Sequence, residues 1–256
     1  MYHRYGYDFR NYAYASTRRR IHKHIKKNNF ANIAELQHHV LHNEHAVDAL
    51  LIDLSINITE MFRDPPFFKA LRKQVLPEYR DEDHLKIWHA GCSSGEEAYS
   101  MAIILKELKM LDNSQLYATD FNNEILNKAK KGIIDIKKMR AHIKNYQRSD
   151  GAEDFADYYT AKDNGAILSQ TLKNKIIFSN HNLAADSVFG EMQIIVCRNV
   201  LIYFDTKLQN RVFKLFVDSL ADNGILCLGS HETLRISKFA QNFETISETQ
   251  RIYRKI

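Results

Sequence analysis

The sequence predicts an α/β protein in which a mostly parallel sheet, covered by helices on both faces, follows an all-helical front segment. Three observations predict it. Up to about residue 80 every apolar repeat has helical spacing. From Leu85 onward, short apolar runs alternate with helical stretches, the pattern of a parallel sheet with helices on both faces. The last two runs, Phe243–Ser247 and Arg251–Tyr253, have no helix between them, which predicts an antiparallel hairpin at the sheet edge.

In the front segment, residues 16–27 predict a helix capped by Ser16 or Thr17, with Ile21 and Ile25 one turn apart. Asn32 is placed to cap a second helix that carries Ile33, Leu36 and Val40 on one face, and Val47, Leu50, Leu51 and Leu54 mark a third. Asp64-Pro65-Pro66 opens a helix that buries Phe68, Leu71 and Val75 and ends at Pro77. The charged run Glu78–His84 reads as a linker. Leu85–Ala90 is the first strand, followed by a Gly/Ser turn and a helix over Ala98–Leu111. Gln115–Asp120 is the second strand, and a helix runs from Asn122 to about Lys131. Later strands fall at Lys175–Phe178, Met192–Cys197 and Gly224–Leu228, with a helix at Lys207–Leu220. Residues 132–174 interrupt the alternation. There Asp163-Asn164-Gly165 is a hairpin turn signal between Tyr158-Tyr159 and Ile167-Leu168, so a small β insertion is expected at about 155–178. The expected division is a helical domain at 1–56, a helical connection at 57–84 and the sheet domain at 85–256.

Composition narrows the class. Hydrophobic residues are 45% and charged residues 26% of the chain, which excludes disordered and fibrous proteins. No apolar run is long enough to span a bilayer, and the start, Met1–Tyr7, lacks the apolar core of a secretory signal. Cys92, Cys197 and Cys227 are far apart with no CxxC pair, which predicts reduced thiols in a cytoplasm and no structural zinc. His38, His42 and His45 share a helix face but lack a further ligand at fixed spacing, so no metal is expected. The aromatics Tyr2, Tyr5, Tyr7, Phe9, Tyr12 and Tyr14 are expected to pack against the helical domain rather than to stack on RNA. The net charge is +5, yet residues 1–30 hold eight Arg and Lys against the single acid Asp8, so the rest of the chain is slightly acidic. A basic front end on an acidic body predicts an acidic partner.

The sharpest local pattern is Gly91-Cys92-Ser93-Ser94-Gly95-Glu96-Glu97, between a strand and a helix. It fits G-x-S-x-G, with Ser93 as a hydrolase nucleophile, but that arrangement needs preceding strands and an oxyanion segment that the sequence lacks. The alternative is a glycine-rich turn after the first strand of a doubly wound sheet, where a cofactor approaches the backbone. Glu96 and Glu97 would repel a pyrophosphate at this helix start and suit a cationic ligand. Asp120, about 25 residues past the turn, is placed to hold ribose hydroxyls, with a helix N-cap role as its competitor. A ribose-bearing cofactor with a cationic end satisfies both features, namely S-adenosylmethionine.

Four segments now add up. Asn57-Ile-Thr-Glu-Met-Phe-Arg63-Asp-Pro65, Ala90-Gly-Cys-Ser-Ser-Gly-Glu-Glu-Ala-Tyr-Ser100, His181-Asn-Leu183 and Val196-Cys-Arg-Asn-Val-Leu-Ile-Tyr-Phe-Asp205 resemble, in order, the motifs of the CheR family of chemotaxis-receptor protein-glutamate O-methyltransferases. Leu228-Gly-Ser-His-Glu-Thr-Leu234 and Ile252-Tyr-Arg-Lys255 resemble its closing signatures. The likeness spans residues 57–256 and is looser over 1–56. It implies a class I methyltransferase fold, Rossmann-like, with a seven-stranded sheet, an antiparallel edge hairpin and a small β insertion. It implies transfer of methyl from S-adenosylmethionine to glutamate carboxylates of an acidic protein, leaving S-adenosylhomocysteine. Separately, a cytoplasmic monomer is expected.

By that resemblance the cofactor contacts are Asn57, Thr59, Arg63, Glu97, Asp120, Asn182, Leu183, Asn199 and Val200, with residues 57–84 contributing to the site. Arg63 and Tyr203 are the catalytic candidates for orienting the incoming carboxylate, with a core or structural hydrogen-bonding role as the competitor for Tyr203. Ser94 replaces a usual Thr, Ala98 a usual Pro and Met61 a usual Phe, and none of these removes a charged contact. The insertion is shorter than in enteric members that grip a receptor tail and has no Gly-Gly run, so no such tether is expected. Arg18, Arg19, Arg20 and Lys23 are expected to dock the acidic partner, such as a chemoreceptor cytoplasmic helix, with no nucleic acid or membrane insertion involved. Two other readings are a cofactor-binding sensor without turnover and a nucleic-acid methyltransferase. The second lacks its Asn/Asp-Pro-Pro-Tyr motif.

Overall fold

The computed structural model describes residues 1–54, 59–162 and 165–256 and is built around a seven-stranded sheet. Its strands are β1 (Leu85–Ala90), β2 (Ser114–Asp120), β6 (Ile176–Asn180), β7 (Met192–Cys197), β8 (Leu220–Leu228), β9 (Phe243–Ser247) and β10 (Ile252–Lys255). Their spatial order is β6-β2-β1-β7-β8-β10-β9, parallel from β6 to β8. The expected closing hairpin forms, with β10 antiparallel to both β8 and β9. From β1 the chain winds outward to β2 and β6 on one side, then returns to β7 and β8 on the other. That reversal leaves a crevice at the carboxyl end of β1, where open α/β sheets bind ligands.

The inner strands are largely buried on both faces because their side chains alternate between two apolar layers. Ile87, Leu116, Ile194 and Ile225 belong to one layer, and Trp88, Ile195, Leu226 and Leu228 to the other. The flanking helices include α5 (Pro65–Ala70), α6 (Glu96–Glu107), α7 (Asn123–Lys131) and α10 (Thr206–Ser219). After α5 the chain continues through one π turn at Leu71–Val75 and a 3-10 turn at Leu76–Tyr79, which contains Pro77. Phe67, Phe68, Leu71, Val75 and Leu76 join the first layer. The stretch expected to connect two domains is therefore packed into the sheet's own core.

The front segment consists of α1 (Tyr2–Tyr5), α2 (Tyr14–Lys27), α3 (Ile33–His42) and α4 (Glu44–Leu54). Leu36, Val40, Val47, Leu50 and Leu51 form a third core, on which Tyr5, Tyr7, Phe9, Ile21 and Ile25 pack. Asn32 caps α3 as expected, accepting from the Ala34 and Glu35 N–H groups. Ile33 departs from expectation at 62% exposed. So does the start of α2. Neither Ser16 nor Thr17 caps it, and the helix begins at Tyr14 after Ala13. The cause is tertiary. Tyr12 bridges to Phe204, the Ala13 N–H donates to the Tyr203 carbonyl, and the Asp205 N–H donates to the Asn11 carbonyl. These bonds set where the chain turns helical, and the Thr17 hydroxyl instead donates to the Ala13 carbonyl one turn back.

The insertion differs in extent from the expected 155–178. It is a separate three-stranded sheet, β3-β5-β4, built from β3 (Ile133–Asp135), β4 (Tyr159–Lys162) and β5 (Gly165–Leu168). The helix α8 (Ile136–Arg148) lies between β3 and β4, and the short α9 (Gln170–Lys173) leads out of β5. Residues 176–178 belong to β6 of the main sheet instead. Asp163 and Asn164 of the hairpin turn signal lie outside the described residues. The insertion is tied to the main domain by Glu107, which pairs with Arg72 and accepts from the Tyr146 and Tyr158 hydroxyls. No helix among the described residues is long and apolar enough to cross a membrane.

Candidate active site

The crevice begins where β1 ends. The chain turns into α6 through Gly91 (φ +80°), Ser93 (φ +52°) and Gly95 (φ +91°). Gly91 is required twice over, since its φ disfavours a side chain and a Cβ there would lie 2.5 Å from the Val200 side chain. The Ser93 hydroxyl is buried without a hydrogen-bond partner among the described residues. A serine nucleophile needs a base within reach, so the hydrolase reading fails on geometry.

Asp120 closes β2 and faces the same crevice. Its Oδ2 accepts from the Ser93 N–H at 3.0 Å and its Oδ1 from the Asn122 N–H at 3.0 Å. Burial pushes its carboxyl up, opposed by these backbone N–H groups. The competing cap role is taken by Asn122, whose side chain accepts from the Glu124 and Ile125 N–H groups at the start of α7. Asp120 is thus anchored to the turn while lining the cleft with Phe121, Leu183 and Val200. This half of the cleft, open mouth included, spans about 800 Å³. Asn182 lines it too, its side chain accepting from the Ala184 N–H. The front segment forms the remaining wall, through Tyr12, Thr17, Arg20 and Leu54.

Gly91, Ser93, Asn199 and Tyr203 are common to this half and a second one, which adds Thr59, Arg63, Glu97 and Arg198. The helix α6 starts two residues before the expected Ala98, which places Glu97 in its first turn. Glu97 Oε1 meets His89 Nδ1 at 3.0 Å, and its Oε2 accepts from Arg198 Nη1 at 3.0 Å. Burial alone would push the Glu97 carboxyl up, but His89 and Arg198 together hold it below its ordinary value. Arg198 itself is 2% exposed at the side chain, a cost that pairing must offset. It donates to Asp64 Oδ2 at 2.6 Å as well as to Glu97, and its guanidinium lies 4.0 Å from the Phe67 ring centre.

Those bonds fix the segment that carries Arg63. Phe62 and Asp64, on either side of it, both adopt positive φ, at +53° and +59°. Such conformations cost non-glycine residues about 1–3 kcal/mol each and persist only where the surroundings over-determine them. Here the Phe62 N–H donates to Ser100 Oγ at 2.9 Å, its ring is fully buried, and Asp64 is held by Arg198. Tyr203 stands at the junction of the two halves, half-buried, with the Arg20 guanidinium 5.2 Å from its ring centre. Burial raises its hydroxyl, opposed by the nearby charges of Arg20 and Arg63.

The expected site residues therefore converge with few exceptions. Asn57 lies outside the described residues. Arg18, Arg19 and Lys23 are exposed on α2, but Arg20 is half-buried and lines the cleft, which separates it from the expected docking group. Two residues escaped the sequence reading, Arg198 and Glu232. The first was signalled by a charged residue directly after the apolar run of β7, and the second by an acid one turn past β8. Among the described residues no three His, Cys, Asp or Glu side chains are grouped to hold a metal ion.

Comparison with known proteins gives a consistent result. Residues 57–252 match the family profile described as CheR methyltransferase, SAM binding domain, and residues 1–55 match CheR methyltransferase, all-alpha domain. Methyltransferase Cher3 of Pseudomonas putida, a provisional name, is 45% identical over 255 residues, covering 100% of this chain and 93% of that protein. A chemotaxis protein methyltransferase of Listeria monocytogenes is 30% identical over 231 residues, covering 90% of this chain and 85% of that protein. Among solved structures, magnesium protoporphyrin IX methyltransferase of Synechocystis with bound SAM aligns with a TM-score of 0.39 and 13% identity, over 75% of this chain and 76% of that one.

Proposed function

The chain belongs to the CheR methyltransferase family, and from that premise we propose that it methylates glutamate carboxylates of an acidic, chemoreceptor-type protein with S-adenosylmethionine as donor. One observation carries the residue-level reading: the switch-point cleft has a carboxylate at each end, Asp120 and Glu97, with Arg63 and Tyr203 beside the junction. The cleft suits this cofactor. Asp120 offers acceptors to ribose hydroxyls, Phe121, Leu183 and Val200 supply apolar wall, and the missing Cβ of Gly91 lets the Val200 side chain close against the turn. Glu97 is the acceptor for an ammonium group.

The bound cofactor supplies a sulfonium methyl as electrophile. An acceptor glutamate, with a pKa of about 4.3, is already ionised at neutral pH, so no residue need act as its base. What remains is alignment and exclusion of water, and alignment alone can lower a barrier by roughly 7–11 kcal/mol. Arg63 and Tyr203 are the groups we assign to orienting that carboxylate. Tyr12, Thr17 and Arg20 wall the cleft from the front segment.

The linkage tests this directly. Methyl transferred from labelled cofactor to an acidic acceptor should leave as methanol in mild base, as carboxyl esters do. Label that resists base would identify an N-methyl product, and the absence of transfer to any protein would leave a cofactor-binding sensor.

The exposed Arg18, Arg19 and Lys23 on α2 support docking of an acidic partner. Exposed charges act mainly on encounter rate, and their reach is cut by salt, the Debye length being about 8 Å at physiological strength. Reversing all three to Glu should lower kcat/KM for the protein acceptor roughly tenfold at low salt and much less at high salt. Cofactor affinity, read by calorimetry, should not change. Normal transfer by the triple variant at every salt concentration would reduce this face to solvated charge.

A further inference from the structure

We propose that Glu232 is a positioning residue for methyl transfer, its buried carboxylate holding residues 199–201 and thereby Asn199 and Tyr203 in their working places. The proposal rests on the reading of the cleft given above. Glu232 lies in the loop after β8, is 4% exposed, and does not line either half of the cleft. Instead it gathers four backbone donors. Its Oε2 accepts from the Gly229 N–H at 2.6 Å and the Asn199 N–H at 3.0 Å. Its Oε1 accepts from the Val200 N–H at 2.8 Å and the Leu201 N–H at 2.7 Å.

An ionised carboxylate offers about four acceptor sites and no donor, so this arrangement fills it. No other side chain of that size can serve four N–H groups at once. Burial pushes the Glu232 carboxyl up, and the four N–H groups oppose that shift. The segment it holds is one that would not keep its shape unaided. Asn199 has φ +62°, Val200 packs against the place where Gly91 lacks a Cβ, and the 3-10 turn Leu201–Tyr203 delivers Tyr203 to the junction. Gly229 is part of the same device. A Cβ there would lie 2.7 Å from Glu232 Oε2 and 2.9 Å from the Asn199 nitrogen. Asn199 lines both halves of the cleft, so a shift in its backbone reaches the reacting centre without any contact from Glu232.

Glu232→Gln keeps the shape and removes the charge. Its single carbonyl oxygen can serve one pair of N–H groups, and its amide must face the other pair donor to donor. Amide hydrogen exchange of the variant should speed at least tenfold at Gly229, Asn199, Val200 or Leu201, with the strands of the main sheet unchanged. Turnover should fall at least tenfold while KM for the acceptor stays within about threefold. Gly229→Ala, which displaces the carboxylate without neutralising it, should reproduce both effects. Wild-type ester formation, measured alongside, separates this proposal from the assignment of the reaction itself. Unchanged exchange, or full turnover by a folded Glu232→Gln, would overturn the proposal. So would failure of both variants to fold, since the carboxylate would then be a stability element alone.

Discussion

Asp120→Asn should bind S-adenosylhomocysteine at least tenfold more weakly than the wild type, by calorimetry, with an unchanged circular dichroism spectrum. We assign the carboxylate two duties, and the substitution damages both. Toward the cleft it presents acceptors to which ribose hydroxyls can donate, and hydrogen bonds to a charged group contribute about 1.5–3 kcal/mol each. One such bond already exceeds the ~1.4 kcal/mol that corresponds to a factor of ten. Toward the protein it holds the Ser93 and Asn122 N–H groups, one on each oxygen. An amide nitrogen on either side would meet an N–H and loosen the turn beneath the cofactor. The fold should survive because Asn122 independently caps α7 and the neighbouring strand ends, Ala90, Ala118 and Thr119, are buried. Full affinity in this variant would leave Asp120 as a pin for the turn and nothing more.

The contrast between Asp120 and Asn122 shows how far the amino-acid sequence reaches by itself. An acid at the end of the second strand is compatible with either ligand binding or capping, and only the helix start decides between them. Local chemistry is legible where the signal is local. Asn32 caps α3 through its own neighbours, and the strand-helix alternation follows from apolar spacing. Legibility ends where the cause is distant. The start of α2 is set by bonds from residues 11–13 to residues 203–205, which no window of sequence contains. The strand β3 is three residues long and pairs with β5, so a scan for longer runs passes over it. Arg198 acquires its role from Asp64 and Glu97, more than a hundred residues away along the chain, and Glu232 from four N–H groups on two loops. Both residues stand inside motifs that the sequence did mark, but their partners are a property of the fold.

Arg63→Lys should lower kcat/KM for the acceptor on the order of a hundredfold, the scale of loss that follows a misplacement of about 1 Å at a reacting centre. Charge is conserved in this substitution, so the effect isolates geometry. A guanidinium can hold a carboxylate through two parallel N–H bonds, whereas an ammonium is a point charge on a flexible stem. The protein invests in that geometry. Arg63 sits between two residues held at positive φ, and the partners that hold them, Ser100 accepting from the Phe62 N–H and Arg198 donating to Asp64, belong to α6 and the loop after β7. The same two elements carry Glu97 and Asn199. Arg63 is therefore registered against the two residues that we assign to the cofactor's cationic end, and it lines the same half of the cleft as Tyr203. Cofactor affinity measured on the same variant divides two mechanisms. A fall in S-adenosylhomocysteine affinity matching the loss of kcat/KM would place the fork on the cofactor's carboxylate. Unchanged affinity with a reduced kcat would place it on the acceptor's carboxylate, where alignment for in-line attack is the whole of the chemistry. Wild-type turnover by Arg63→Lys would contradict both, and the strained bracket around residue 63 would need another explanation.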